Sequence, residues 1–167
     1  IFNNKKKFFY LSITSVLITS NWLLFILSIF INRVHDAAMG YFISPILSVG
    51  FGYIFFKEKL SKIQILSLSL IILSILNLIV NLGTIPWIAI SLATTWSIYG
   101  LLRKKIRVAS EVGLLFETSI LLPFFVIYCF YLYSTGKSHF SLSDIPSTLF
   151  LIGSGFVTAL PLFLFNL

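Results

Sequence analysis

Residues 63–81 read IQILSLSLIILSILNLIVN, nineteen positions without a charged side chain. The polar members, Gln64, Ser67, Ser69, Ser74, Asn77 and Asn81, are all neutral. At 1.5 Å per residue such a stretch reaches roughly 28 Å as an α-helix, close to the ~30 Å hydrocarbon core of a bilayer. Water would meet apolar side chains on every face of it. Lipid accepts such a helix, because all its backbone groups bond internally. The segment reads as a transmembrane helix.

The same length and composition recur on both sides of it, at 8–31, 37–56, 85–102, 112–133 and 145–167. The whole chain is 58% hydrophobic and 10% charged, with mean hydropathy +1.03, where a soluble domain carries about a quarter charged residues. These observations predict an all-α membrane protein, a polytopic bundle of six transmembrane helices. The connectors NRVHDAA, KEKLSK, NLGTIP, RKKIRVASE and STGKSHFSLSD are short and hold nearly all the charge. None is long enough to be a soluble domain. Ile1 stands where an initiator Met would be expected, and the chain stops at Leu167 inside an apolar run, so both ends read as cut.

Alternate connectors face one side of a membrane. One side would hold ten basic residues, Lys5, Lys6, Lys7, Lys57, Lys59, Lys62, Arg103, Lys104, Lys105 and Arg107, against Arg33 and Lys137 on the other. Lys and Arg on short loops mark the cytoplasmic side, so residues 1–7, 57–62 and 103–110 are expected in the cytoplasm and 32–36 and 134–144 outside. The net charge of +7 is then a property of loops held at anionic lipid. No basic face spans the chain, so membrane lipid is the expected partner and nucleic acid is not. The interfacial aromatics Phe8, Phe9, Tyr10, Trp87, Tyr131 and Tyr133 fit the same arrangement.

Gly40, Ser44, Ser48 and Gly52 recur at every fourth residue of the second apolar run, and Ala89, Ala93 and Ser97 make a shorter stripe in the fourth. Small residues let membrane helices approach closely; the plain reading is bundle packing, the functional one adds helices that slide. Pro45, Pro123 and Pro161 fall inside apolar runs, where each removes a backbone hydrogen bond. Asn21 is near the middle of the first run, with Trp22 beside it and Thr14 and Ser28 a heptad away. It reads as inter-helix glue or as a substrate contact. Tyr41, Trp96 and Tyr99 are candidates to line a pocket.

Glu117 lies ~7–8 Å into the fifth run if that helix starts near Val112. A carboxylate at this depth must face the interior, find a partner or take up a proton. It is either a proton-coupling or substrate-contacting group, or a helix-end carboxylate that reaches cytoplasmic water or pairs with Arg103. Enzyme signatures are absent: His35 and His139 fall in outward connectors, the single cysteine, Cys129, sits in an apolar run, and there is no GxxxxGK, GxSxG or HExxH. No metal site and no cofactor is expected.

The segments NWLLFILSI, AAMGYFISPILSV, FFKEKLSKIQ, PWIAISLATTWSIYGLLRKKI and GLLFETSILLP resemble the RarD-type branch of the EamA family, within the drug/metabolite transporter superfamily. Ser44 departs from the pattern, which more often has Asn there. The resemblance implies ten helices in two inverted five-helix repeats, of which this chain would supply helices 3–8. Residues 1–82 would be the last three helices of the first repeat and 83–167 the first three of the second. It implies a secondary transporter in the inner membrane of a bacterium, an exporter of small metabolites or drugs working by alternating access. By the resemblance its central cavity would be lined by the helices carrying Asn21, Tyr41, Trp96 and Glu117; Trp22, Ser44 and Tyr99 join these four as substrate-path candidates, and Glu117 is the candidate for proton coupling. The turn around Glu58 would cap the cytoplasmic end. The branch is tied to chloramphenicol sensitivity; neither a physiological substrate nor an oligomeric state follows from it. The competing readings are a polytopic membrane enzyme and a non-transporting membrane scaffold.

Overall fold

In a computed structural model, residues 5–83, 85–106, 108–136 and 145–164 are described. They form six helices: α1 (Lys5–Phe30), α2 (Val34–Phe56), α3 (Lys62–Leu82), α4 (Trp87–Ile106), α5 (Ser110–Ser134) and α6 (Ile145–Leu164). Lys137, His139 and Arg107, which the sequence assigns to connectors, lie outside the described residues, as does the side chain of Pro161. Four helical spans, Lys5–Phe30, Val34–Phe56, Lys62–Asn81 and Glu111–Ser134, are long and apolar enough to cross a bilayer. The chain is a multi-pass membrane protein. α4 falls short on composition, because Ser91, Thr94, Thr95 and Ser97 and the basic end Arg103–Lys105 dilute it.

Two connectors are shorter than the sequence predicts. The first was expected at 32–38, but α2 begins at Val34, so His35 and Asp36 lie in its first turn rather than in a loop. An acidic residue there faces the positive end of the helix dipole, and Asp36 Oδ2 also lies 3.2 Å from Arg33 Nε. The second was expected from 103, but α4 runs on to Ile106 and α5 begins at Ser110. Arg103, Lys104 and Lys105 occupy the last turn of α4, where cations complement the dipole. α3 begins in a capping box: the Ser61 side chain accepts from the Gln64 N–H, and the Gln64 side chain accepts from the Ser61 N–H. It ends at Gly83, whose φ of 65° is the left-handed cap that glycine adopts without strain.

The chain divides into two compact units, Ile1–Arg107 and Val108–Leu167. In the first, α4 packs along α2 and α1, and among the described residues α3 meets only α2. Ala37, Ile88 and Leu92 make the core, with Leu24 and Phe25 against it. Contacts between α2 and α4 climb together in number, from Gly40 near Ala89 to Ser48 bonded to Ser97, so the two helices are parallel. Those between α1 and α4 run oppositely: Asn21 meets Leu92, while Lys105 lies over Tyr10. The starting end of α1 and the finishing ends of α2 and α4 therefore come together, and the basic clusters at Lys5–Lys7, Lys57–Lys62 and Arg103–Lys105 share one end of this unit.

In the second unit, α5 carries Pro123 within it. Gly113, Phe116 and Glu117 form one buried stripe over its first turns. Farther along, Leu122 and Phe124 through Tyr128 are exposed.

Candidate functional site

Five of the seven residues expected to contact substrate line one cavity of about 210 Å³ between α1, α2 and α4. α1 contributes Asn21, Trp22 and Phe25; α2 contributes Ala37, Gly40, Tyr41 and Ser44; α4 contributes Leu92 and Trp96. None of these nine carries a charge. Trp22, Tyr41 and Trp96 leave much of their surface accessible, at 49%, 69% and 48%, so aromatic faces form the walls.

The polar groups are already partly committed. Asn21 Nδ2 donates to the Leu92 carbonyl at 2.9 Å and to Thr95 Oγ1 at 2.8 Å. Both its N–H bonds are thereby used, and what Asn21 retains for a ligand is the acceptor Oδ1. Thr95 Oγ1 in turn donates back to its own helix, to Ser91 O at 2.9 Å or Leu92 O at 3.0 Å. Ser44 Oγ donates to Gly40 O at 2.8 Å, which leaves its lone pairs. Pro45 supplies no N–H to the Tyr41 carbonyl four residues back. The cavity therefore offers π-faces, the acceptors left on Asn21 and Ser44, and the indole and phenol groups of Trp22, Trp96 and Tyr41 as donors, which suit a small neutral amphipathic solute.

The two small-residue stripes face each other. A Cβ on Gly40 would stand 3.1 Å from Leu92 Cβ and 3.2 Å from Ala89 O. Ala89, Ala93 and Ser97 are all but fully buried. Ser97 Oγ donates to the Ser44 carbonyl at 3.1 Å, and Ser48 Oγ donates to Ser97 Oγ at 3.2 Å. Gly52 ends the stripe beneath Glu58, whose Oε2 would lie 2.8 Å from a Cβ placed there.

Two expected contacts lie elsewhere. Tyr99 is outside the cavity lining and packs its ring on Trp96, with centroids 5.7 Å apart. Glu117 is in α5, 1% exposed, and about 10 Å from the helix start because α5 begins at Ser110 rather than Val112. Among the described residues no group of three His, Cys, Asp or Glu could hold a metal ion. Sequence reasoning missed Phe25, Ala37 and Leu92 in the lining and Thr95 as the partner of Asn21. It also missed the ion pair between Lys104 Nζ and Glu58 Oε1, although both residues had been assigned to the same side of the membrane.

Known proteins share this sequence nearly end to end. A transporter of Vibrio cholerae is 40% identical over 166 residues, 99% of this chain. The protein RarD of Escherichia coli is 38% identical over 161 residues, 96% of the chain. The chain is a RarD homologue. The transporter YojE of Bacillus subtilis is 34% identical over 156 residues. The matched spans are 55%, 54% and 51% of those three proteins, so this RarD-type chain covers about half the length of the curated relatives it matches. No family model matches the chain, and no solved structure matches it.

Proposed function

We propose that this chain is the central part of a secondary transporter, an exporter that moves small metabolites or drugs across a bacterial inner membrane by alternating access. The observation that carries the reading is the uncharged aromatic cavity between α1, α2 and α4. Trp96 lies midway along α4 (Trp87–Ile106), the depth at which transporters hold substrate. With inverted five-helix repeats meeting at Leu82–Gly83, α4 opens the second repeat while α1 and α2 belong to the first. The cavity then lies at the repeat interface, where rocking of one repeat against the other exposes it to each side in turn. The compact units divide later, at Arg107, because contact groups α4 with α1 and α2. The gathering of three basic clusters at one end supports a cytoplasmic location for 1–7, 57–62 and 103–110. Cysteine labelling at 106 by an impermeant reagent in intact cells would reverse that orientation.

The test uses the full reading frame that carries this chain, in inside-out vesicles, with chloramphenicol and a panel of neutral aromatic solutes. Trp96→Ala, Tyr41→Ala and Asn21→Ala should each reduce transport, the Trp variant by about tenfold, equivalent to ~1.4 kcal/mol of lost binding. Unchanged transport in all three removes the cavity from the path. Glu117 is the group proposed for proton coupling, since a buried carboxylate in a membrane helix marks a functional site. Glu117→Gln should insert normally and lose the pH response of transport; a wild-type pH profile in that variant takes Glu117 out of the coupling.

A further inference from the structure

A second cavity, about 220 Å³, opens between α2 and α4 nearer their charged ends, and it shares no lining residue with the aromatic one. What separates the two is the hydroxyl cluster. Ser44 lines the first cavity, Ser48 and Ser97 line the second, and Ser97 bridges them through its bonds to the Ser44 carbonyl and Ser48 Oγ. At its far end this second cavity is lined by Glu58 and Lys104, joined as an ion pair. Lys57, with φ of 53°, turns the chain back so that Glu58 lies over Gly52, and Lys104 Nζ also sits 4.9 Å from the centre of the Phe56 ring.

We propose that Glu58 and Lys104 are the latch that closes the basic end of the solute path, and that it opens when the end of α2 parts from α4. The inference rests on reading the aromatic cavity as a transport site. Three features make the pair a latch rather than a permanent clamp. Its side chains are 48% and 58% exposed, so the attraction is screened and weak enough to break repeatedly. The seam behind it is held by two neutral hydroxyl bonds at 3.1 and 3.2 Å between small residues, which part without leaving a buried charge. Pro45 lies between the two cavities on α2 and interrupts the helix hydrogen-bond ladder there. Bending at that point carries Ser48, Gly52 and Glu58 away from Ser97 and Lys104 while leaving Gly40 seated against Ala89.

Ser97 is 2% exposed and lies behind the latch, which makes it the reporter. In the full reading frame, with Cys129 and any further native cysteine replaced by Ser, a cysteine is introduced as Ser97→Cys and its rate of reaction with N-ethylmaleimide is followed in membranes. Glu58→Gln and Lys104→Gln should each raise that rate roughly two- to fivefold, the range that loss of an exposed pair allows. The charge exchange Glu58→Lys with Lys104→Glu should bring it back toward the starting rate. Gly52→Ala, whose Cβ would stand 2.8 Å from Oε2 at the flexible end of Glu58, should raise the rate by less than Glu58→Gln. Equal rates in both Gln variants overturn the latch. So does an equal rise at Ser15→Cys, a fully buried position on α1, since that would mean general loosening. Raised labelling at 97 in variants of a protein that moves no solute keeps the latch and removes the transport reading.

Discussion

α3 and α4 are of similar length, 21 and 20 residues, and stand in opposite relation to their surroundings. α3 is the most apolar of the candidate spans, and none of its described residues is buried. α4 is less apolar, through its hydroxyl residues and basic end, yet Ile88, Ala89, Leu92, Ala93, Ser97 and Ile106 are buried. Where no helix of this chain packs against it, a membrane helix stays free of charge and largely apolar on all sides. Where other helices are the neighbours, small and hydroxyl-bearing residues do better, since close backbone approach and inter-helix hydrogen bonds replace a hydrophobic drive that lipid does not supply. Hydropathy along this chain therefore points away from the interior rather than toward it.

That contrast breaks most clearly at the α2–α4 seam. Gly40→Leu should destabilise the full-length protein by about 1–3 kcal/mol, since the added atoms meet Leu92 and the Ala89 backbone. Leu66→Ala on α3, which is exposed within this chain, should cost less than Gly40→Leu. Unfolding titrations in detergent compare the two, and equal losses would end the distinction. α3 is instead specified at its ends. Ser61→Ala removes the capping box and should cost about 1 kcal/mol, read as faster amide exchange at Gln64. The smallest difference separates two asparagines. Asn21→Ala breaks bonds between α1 and α4 and should cost ~0.6 kcal/mol, the average for such contacts. Asn81→Ala loses only bonds to Asn77 within its own helix and should cost less. The same titrations decide it, and a larger loss at Asn81 would reverse the ranking.

The fold class was legible because uncharged runs such as 63–81 admit few other readings. Helix boundaries differ from the expected ones where polar residues begin or end a helix. Val34–Asp36 and Arg103–Lys105 are helical because their charges sit at the dipole ends that favour them. Within the cavity, Asn21, Trp22, Tyr41, Ser44 and Trp96 stood out as polar or large aromatic side chains in hydrocarbon. Phe25 and Leu92 did not, because in a chain with 18 Phe nothing in one helix's sequence says which face meets a neighbour. The Glu58–Lys104 pair spans 46 residues, and only the parallel packing of α2 and α4 brings the two ends together.

The modest hydropathy of α4 also constrains how the protein is made. A segment that leaves the translocation machinery by itself partitions into lipid on its own composition, and α4, with its hydroxyl residues and basic end, does so less readily than α3. Its partners, however, precede it in the chain and are synthesised first. Asn21 and the Gly40–Gly52 face then already stand in the membrane when Thr95 and Ala89–Ser97 emerge. The close seam that shapes the cavity is thus in place to receive its third wall, and Gly40→Leu should lower the fraction of chains with α4 inserted as well as the stability of the finished protein.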